Sequence, residues 1–243
     1  MKEGYRLVWA DEFEHDGKPD AEKWTLQTGG KWANNELQAY TDRLTNAFVR
    51  DGRLYLRALK EENMGRSYTS ARMMTYPHAA WQYGYFEVRA KIPAGTGMWP
   101  AIWMMGERKW WPACGEIDIM EHVAKEPLNI YGTMHWQDGG DKKHRSQGRR
   151  VTNPTPAASY DDFHLYGIEW DEKQIVVFYD DNKYFTYDIS QADQPDGSNP
   201  FRQPHYILLN LAIGGGWGGP VIDEKAFPAK YYVDYVRVYE KIK

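Results

Sequence analysis

One stretch constrains this chain more than any other: Gly115-Glu116-Ile117-Asp118-Ile119-Met120-Glu121-His122. Acidic and aliphatic residues alternate from Glu116 to Ile119, the period of two that marks a strand with one polar and one apolar face. Glu116 and Asp118 share the polar face. Glu121 breaks the rhythm, because an unbroken strand would turn it to the isoleucine side, and a lone carboxylate in a core is costly. One extra residue, with Met120 as a β-bulge, returns Glu121 to the face of Glu116 and Asp118. Carboxylates crowded on one surface raise one another's pKa unequally, which suits a protonated acid beside an ionised nucleophile. Three chemistries fit that arrangement: a solvated acidic strand, a carboxylate cage for a metal, and a glycosidase pair of carboxylates. The first needs neither a bulge nor flanking tryptophans.

The 243 residues show no tandem repeat and no Pro/Ser linker, so a single domain spanning 1–243 is expected. A net charge of -4 and a pI near 6.0 argue against nucleic acid or an anionic membrane as the main partner. Mean hydropathy is -0.75, and no apolar run approaches the roughly 18 residues of a membrane span. Cys114 is the only cysteine, which excludes an internal disulfide. Eleven Trp and eighteen Tyr are many for this length. Some fill the core. Several lie in Gly- and Pro-rich segments, where a flat indole on a rigid surface is suited to stack on the apolar face of a sugar.

Short strands at regular spacing and no long helical pattern predict an all-β sandwich or barrel. Phe48 to Ala58 reads as two strands around an Asp51-Gly52 turn. Tyr83 to Ile92 alternates, with Gly84, Phe86, Val88, Ala90 and Ile92 on one face. Met98 to Met105 is an apolar strand with Trp99 and Trp103 on one face. Tyr68 to Met74 is expected as one strand, and Trp32 to Tyr40 as a binding loop. Gln137 to Ser159, with its basic run from Lys142 to Arg150, is expected as a long polar loop, either solvated or rimming the substrate. Gly214 to Pro220 looks too Gly-rich for regular structure. Asp234 interrupts the closing strand Tyr231 to Lys241, where it can pair with a basic neighbour or bind calcium. Metalloprotease His-Glu-x-x-His, Gly-x-Ser-x-Gly and phosphate-loop patterns are all missing.

With these residues in hand, the chain resembles glycoside hydrolase family 16, and within it the laminarinases (endo-1,3-β-glucanases). The most specific part is Trp111-Pro112-Ala113-Cys114-Gly115 running into Glu116-Ile117-Asp118-Ile119-Met120-Glu121-His122, the family signature in its bulged form. Members specific for mixed-linkage glucan mostly lack the extra residue; agarases and carrageenases also carry it. Asn34-Asn35-Glu36-Leu37-Gln38, Thr69-Ser70-Ala71-Arg72, Gly97-Met98-Trp99-Pro100-Ala101-Ile102-Trp103-Met104 and Val233-Asp234-Tyr235-Val236-Arg237 extend the likeness over nearly the whole length.

The resemblance implies a concanavalin A-like β-jelly roll, two curved antiparallel sheets with a concave cleft, and hydrolysis with retention of anomeric configuration. It implies Glu116 as nucleophile, Glu121 as acid/base and Asp118 as the carboxylate tuning both. Trp99, Trp103 and Trp111 then line the subsites beside the cut. Asn35 and Arg72 contact the non-reducing-side sugars, and His135 lies near the acid/base. Trp217 matches less closely, because Gly216 and Gly218-Gly219 extend its loop. Glu12, Gly52 and Asp234 match a structural calcium site, with no catalytic cofactor. The implied partner is a β-glucan polysaccharide, with neither nucleic acid nor membrane, for a secreted monomer; residues 1–5 contain no apolar leader.

Overall fold

The alternating segments pair into two sheets. The computed structural model describes residues 3–153, 155 and 157–242. Among these residues, ten strands form one sheet and seven the other, packed as a β-jelly roll of two curved antiparallel sheets. The seven-stranded sheet runs His144–Thr152, Asn129–Gln137, Glu116–Glu121, Met98–Gly106, His205–Ile213, Arg72–Met74 and Thr25–Leu26. Asn182–Asp188, Gln174–Tyr179, His164–Trp170, Gly84–Lys91, Ala229–Lys241, Arg53–Asn63, Arg66–Ser70 and Gln38–Tyr40 make the main path of the other sheet. Tyr5–Asp11 and Ala47–Arg50 pair at its sides. One short pair, Gln38–Tyr40 with Arg66–Ser70, is parallel.

Alternation decides what faces inward. Phe86, Val88, Ala90 and Ile92 are buried from the ten-stranded side, and Ile102, Met104, Ile117, Met134 and Leu209 meet them from the other. Each of these side chains larger than Ala90 contributes about 1.5–3 kcal/mol by leaving water. Asp51 and Gly52 both have positive φ, 51° and 68°, as a two-residue hairpin turn of the right twist demands. Arg50 and Arg53 flank them as a cross-strand pair.

Four segments depart from the sequence expectations; three are in or beside the sheets, and the fourth, the Gly-rich loop after Ile213, lies at the site. Tyr68 to Met74 is two strands: the chain leaves one sheet after Ser70, passes buried Ala71, and enters the other at Arg72. Trp32 to Tyr40 is a 3-10 turn, Ala33–Asn35, followed by the buried strand Gln38–Tyr40. The basic run is not a loop, because His144–Thr152 pairs residue for residue with Asn129–Gln137 and forms the edge of the seven-stranded sheet. An exposed edge tolerates polar side chains on both faces, so its pairing leaves no apolar period in the sequence. Among the described residues no helix is long and apolar enough to cross a membrane.

Candidate active site

The bulge is present, and both neighbouring strands register it. Asp118 lies opposite Trp103 on one side and Thr133 on the other, while Glu121 lies opposite Ala101 and Tyr131. Three steps along this strand thus match two along each neighbour. Met120 keeps a partner, Ile102, on the Met98–Gly106 side, so the unpaired residue there is Ile119. Ile119 and Met120 are both buried in the core, which turns Glu121 to the face of Glu116 and Asp118.

Two indoles reach these glutamates. Trp111 Nε1 donates to Glu116 Oε2 at 2.5 Å, and Trp99 Nε1 donates to Glu121 Oε1 at 3.1 Å. Trp99 comes from the neighbouring strand. Trp111 comes from the loop 107–114, whose two ends are cinched together where Gly106 N donates to Gly115 O. A side chain at Gly106 would strike Cys114 O at 2.1 Å, so this closure requires glycine.

The electrostatics separate the three carboxyls. Glu116 and Glu121 remain partly exposed, while Asp118 is 2% exposed and hydrogen-bonded to Glu116. Burial raises all three above their ordinary values. Glu121 is raised well above its ordinary value, by burial first and then by the charges of Asp118 and Glu116. Glu116 is also raised by burial and by Asp118, and at both glutamates His135 and an indole donor, Trp111 or Trp99, act the other way. Two carboxyl charges thus act on Glu121 and one on Glu116, which favours the proton on Glu121. Replacing Asp118 with Asn removes a charge that holds Glu121 protonated. Glu121 then ionises at lower pH, and the basic limb of the kcat/KM profile is expected to shift down. A basic limb that stays in place would separate Asp118 from this proton balance.

His135 faces Glu116 across the strand pair, with Nε2 3.1 Å from Asp118 Oδ2. The contact is one of proximity, since Asp118 Oδ2 has no hydrogen-bond partner. Glu116, Asp118 and His135 bring ligand-type atoms within 4.8 Å of one another, the one such trio among the described residues.

Away from the carboxyls, the Arg72 guanidinium lies 4.7 Å from the Trp103 ring centre and 5.1 Å from that of Trp32. Trp103 Nε1 donates to Asn210 Oδ1 at 2.7 Å, and Asn210 Nδ2 donates to Tyr40 OH at 3.1 Å. Tyr40 and Gln38 both donate to buried Glu36. Trp217 stands edge-on to Trp99 at 5.4 Å and to Tyr131 at 5.0 Å. Its Gly-rich loop forms one helical turn, Gly215–Gly218, packed against the turn that holds Asn35. Regular structure is possible here because Gly215, at φ 81°, approaches Asn34 O more closely than any side chain allows.

Trp32, Asn210, Tyr131 and His144 are the site residues that sequence reasoning passed over. Asn210 had a signal, as the lone amide in the apolar strand His205–Ile213.

Glu12, Gly52 and Asp234 lie elsewhere, on the ten-stranded sheet and its turns. Glu12 accepts two hydrogen bonds from Arg237, at 2.7 and 2.9 Å. Asp234 sits at a bulge of its strand, bonded to Arg89 at 2.7 Å with Arg53 at 3.9 Å. Both carboxylates are matched by guanidinium groups, so these side chains as placed do not fit a shared calcium ion, and no step of the chemistry depends on one.

Paired glutamates beneath indoles, on the concave face of a jelly roll, define a glycoside-cleaving cleft. The chain belongs to glycosyl hydrolases family 16, whose model matches residues 26–237. It is 44% identical to a β-glucanase of Rhodothermus marinus over 246 aligned positions, covering 97% of this chain and 85% of that protein. The X-ray structure of the laminarinase from Rhodothermus marinus superposes with a TM-score of 0.89 at 42% identity, covering 98% of each chain. A LamA variant from Z. galactanivorans, solved with laminaritriose and laminaritetraose, gives a TM-score of 0.84 at 38% identity, covering 96% of this chain and 98% of that one. The chain is a glycoside hydrolase.

Proposed function

We propose that this enzyme hydrolyses internal β-1,3-glucosidic bonds of laminarin-like β-glucans with retention. One observation carries the mechanism: the Ile119–Met120 bulge puts two glutamates on one face in surroundings that order their ionisation. Glu121, protonated, gives its proton to the leaving glycosidic oxygen. Glu116, ionised, attacks the anomeric carbon and forms a glycosyl-enzyme. Water then loses a proton to Glu121 and displaces Glu116. Asp118 holds the charge balance between them. Trp99, Trp103 and Trp111 form the walls beside the cut, with Trp217 beyond Trp99. Arg72 and Asn35 offer polar contacts to the chain, and His135 stands over Asp118. The β-1,3 linkage is supported by relatives that are laminarinases, one of them holding laminarin oligosaccharides. A polymeric substrate supports action outside the cell.

Product release from laminarin, lichenan and agarose in parallel tests the proposal. Laminarin is expected to be cut to oligosaccharides. Cleavage of agarose alone would overturn the linkage assignment, and glucan binding without any cleavage would make this a binding protein. Trp103→Ala removes an indole from the wall and unpairs Asn210. It is expected to lower kcat/KM on laminarin roughly 30-fold, about 2 kcal/mol for one large aromatic contact.

A further inference from the structure

One imidazole beside the carboxyls has no part in the steps above. His144 begins the edge strand, opposite Gln137 in register. Its ring lies nearly parallel to that of His135, with centroids 5.1 Å apart and planes at 14°. His144 Nε2 is 2.8 Å from His135 Nδ1. The same ring packs against Trp111, with centroids 4.9 Å apart. A closed circuit results. Trp111 donates to Glu116, Glu116 bonds to Asp118, Asp118 meets His135, His135 meets His144, and His144 returns to Trp111.

We propose that His144 is a positioning residue, which fixes the ring plane and the tautomer of His135 so that its Nε2 is held toward Asp118. A neutral imidazole carries one N–H, and the hydrogen bond at one nitrogen decides which nitrogen bears it. Stacking adds the second constraint, because a ring flanked in parallel cannot turn about its Cβ–Cγ bond without losing that contact. The groups around the pair are Glu116, Asp118 and Glu121 on the adjoining strand, Arg145 next in the edge strand, and the Trp111 indole. Arg145 is turned away, held by Asp141 at 2.7 Å. His144 is thus the side chain that meets His135 Nδ1. His144 lies on the edge strand, which shows no apolar period.

The inference rests on the proposed hydrolysis only for its kinetic readout. His144 is exposed, so its replacement leaves the core intact. The experiment compares the intact enzyme with His144→Ala, His144→Gln, His135→Ala and the double alanine variant on laminarin, and reads ligand-free imidazole nitrogen shifts by NMR. His144→Ala is expected to lower kcat about tenfold with KM within about twofold, the pattern of a misplaced group. Glutamine, which can still bond His135 Nδ1, should restore kcat to within about threefold. In the His135→Ala background, His144→Ala should change kcat by less than about twofold, since its effect passes through His135. The His135 shifts should move from one tautomer to a mixture in His144→Ala.

Losses that multiply in the double variant would overturn the inference and make His144 a substrate contact. A rise in KM at constant kcat would do the same, as would unchanged His135 shifts. If the unmodified enzyme fails to cut laminarin, the proposed function falls, while the NMR comparison still decides the role of His144.

Discussion

Glu116→Ala is expected to abolish turnover of laminarin, by on the order of 10⁴-fold or more, the scale seen when a nucleophile is removed. The protein should stay folded and keep its affinity for oligosaccharide. Glu116 lies at the cleft surface, and its main chain remains paired with Met105 and His135. The change also deletes one of three carboxyls that repel each other, so the melting temperature should hold or rise. Only the attack on the anomeric carbon is lost. Azide supplied to the variant with an activated β-glucoside enters the vacated space, and should yield the α-glycosyl azide by a single displacement. Unchanged turnover, or a β-azide product, would remove Glu116 from the nucleophile role.

Glu121→Ala separates the two steps differently. A natural glucan needs its leaving oxygen protonated, so laminarin hydrolysis should fall about 10²–10⁴-fold. An aryl glucoside with an acidic phenol leaves without that proton. Its first step should survive, and the glycosyl-enzyme should accumulate because no base activates water. The expected signature is a burst of phenol followed by a slow phase, with kcat and KM falling together. Azide should speed the slow phase and give the β-glycosyl azide. Equal losses on the aryl substrate and on laminarin would contradict the assignment. The contrast between the variants follows from the surroundings of each group. Glu121 is raised by burial and by both neighbouring carboxyls, whereas Asp118 is the one neighbouring carboxyl that raises Glu116.

Much of this was legible in the sequence, for reasons that differ by element. The bulge could be read because a carboxylate out of phase has one inexpensive remedy. The inward face of Gly84–Lys91 could be read because its alternation is unbroken. The Asp51-Gly52 turn announced itself by residues suited to positive φ. The edge strand His144–Thr152 could not be read, because only main-chain pairing defines it. The break at Ala71 was hidden too, since an apolar period does not say which sheet a strand joins. Trp32 and Asn210 reach the site through partners far away in sequence, Arg72 and Trp103. Such long-range meetings are set by the folded topology and not by local pattern.

The configuration of the first product is the most direct test of double displacement through Glu116. Laminarin is mixed with enzyme, and the anomeric proton of the newly formed reducing end is followed by NMR before mutarotation. Double displacement through Glu116 predicts that the β-anomer appears first and the α-anomer only later, as solution equilibrium is reached. Initial release of the α-anomer would mean a single displacement by water, and would contradict the nucleophilic role of Glu116.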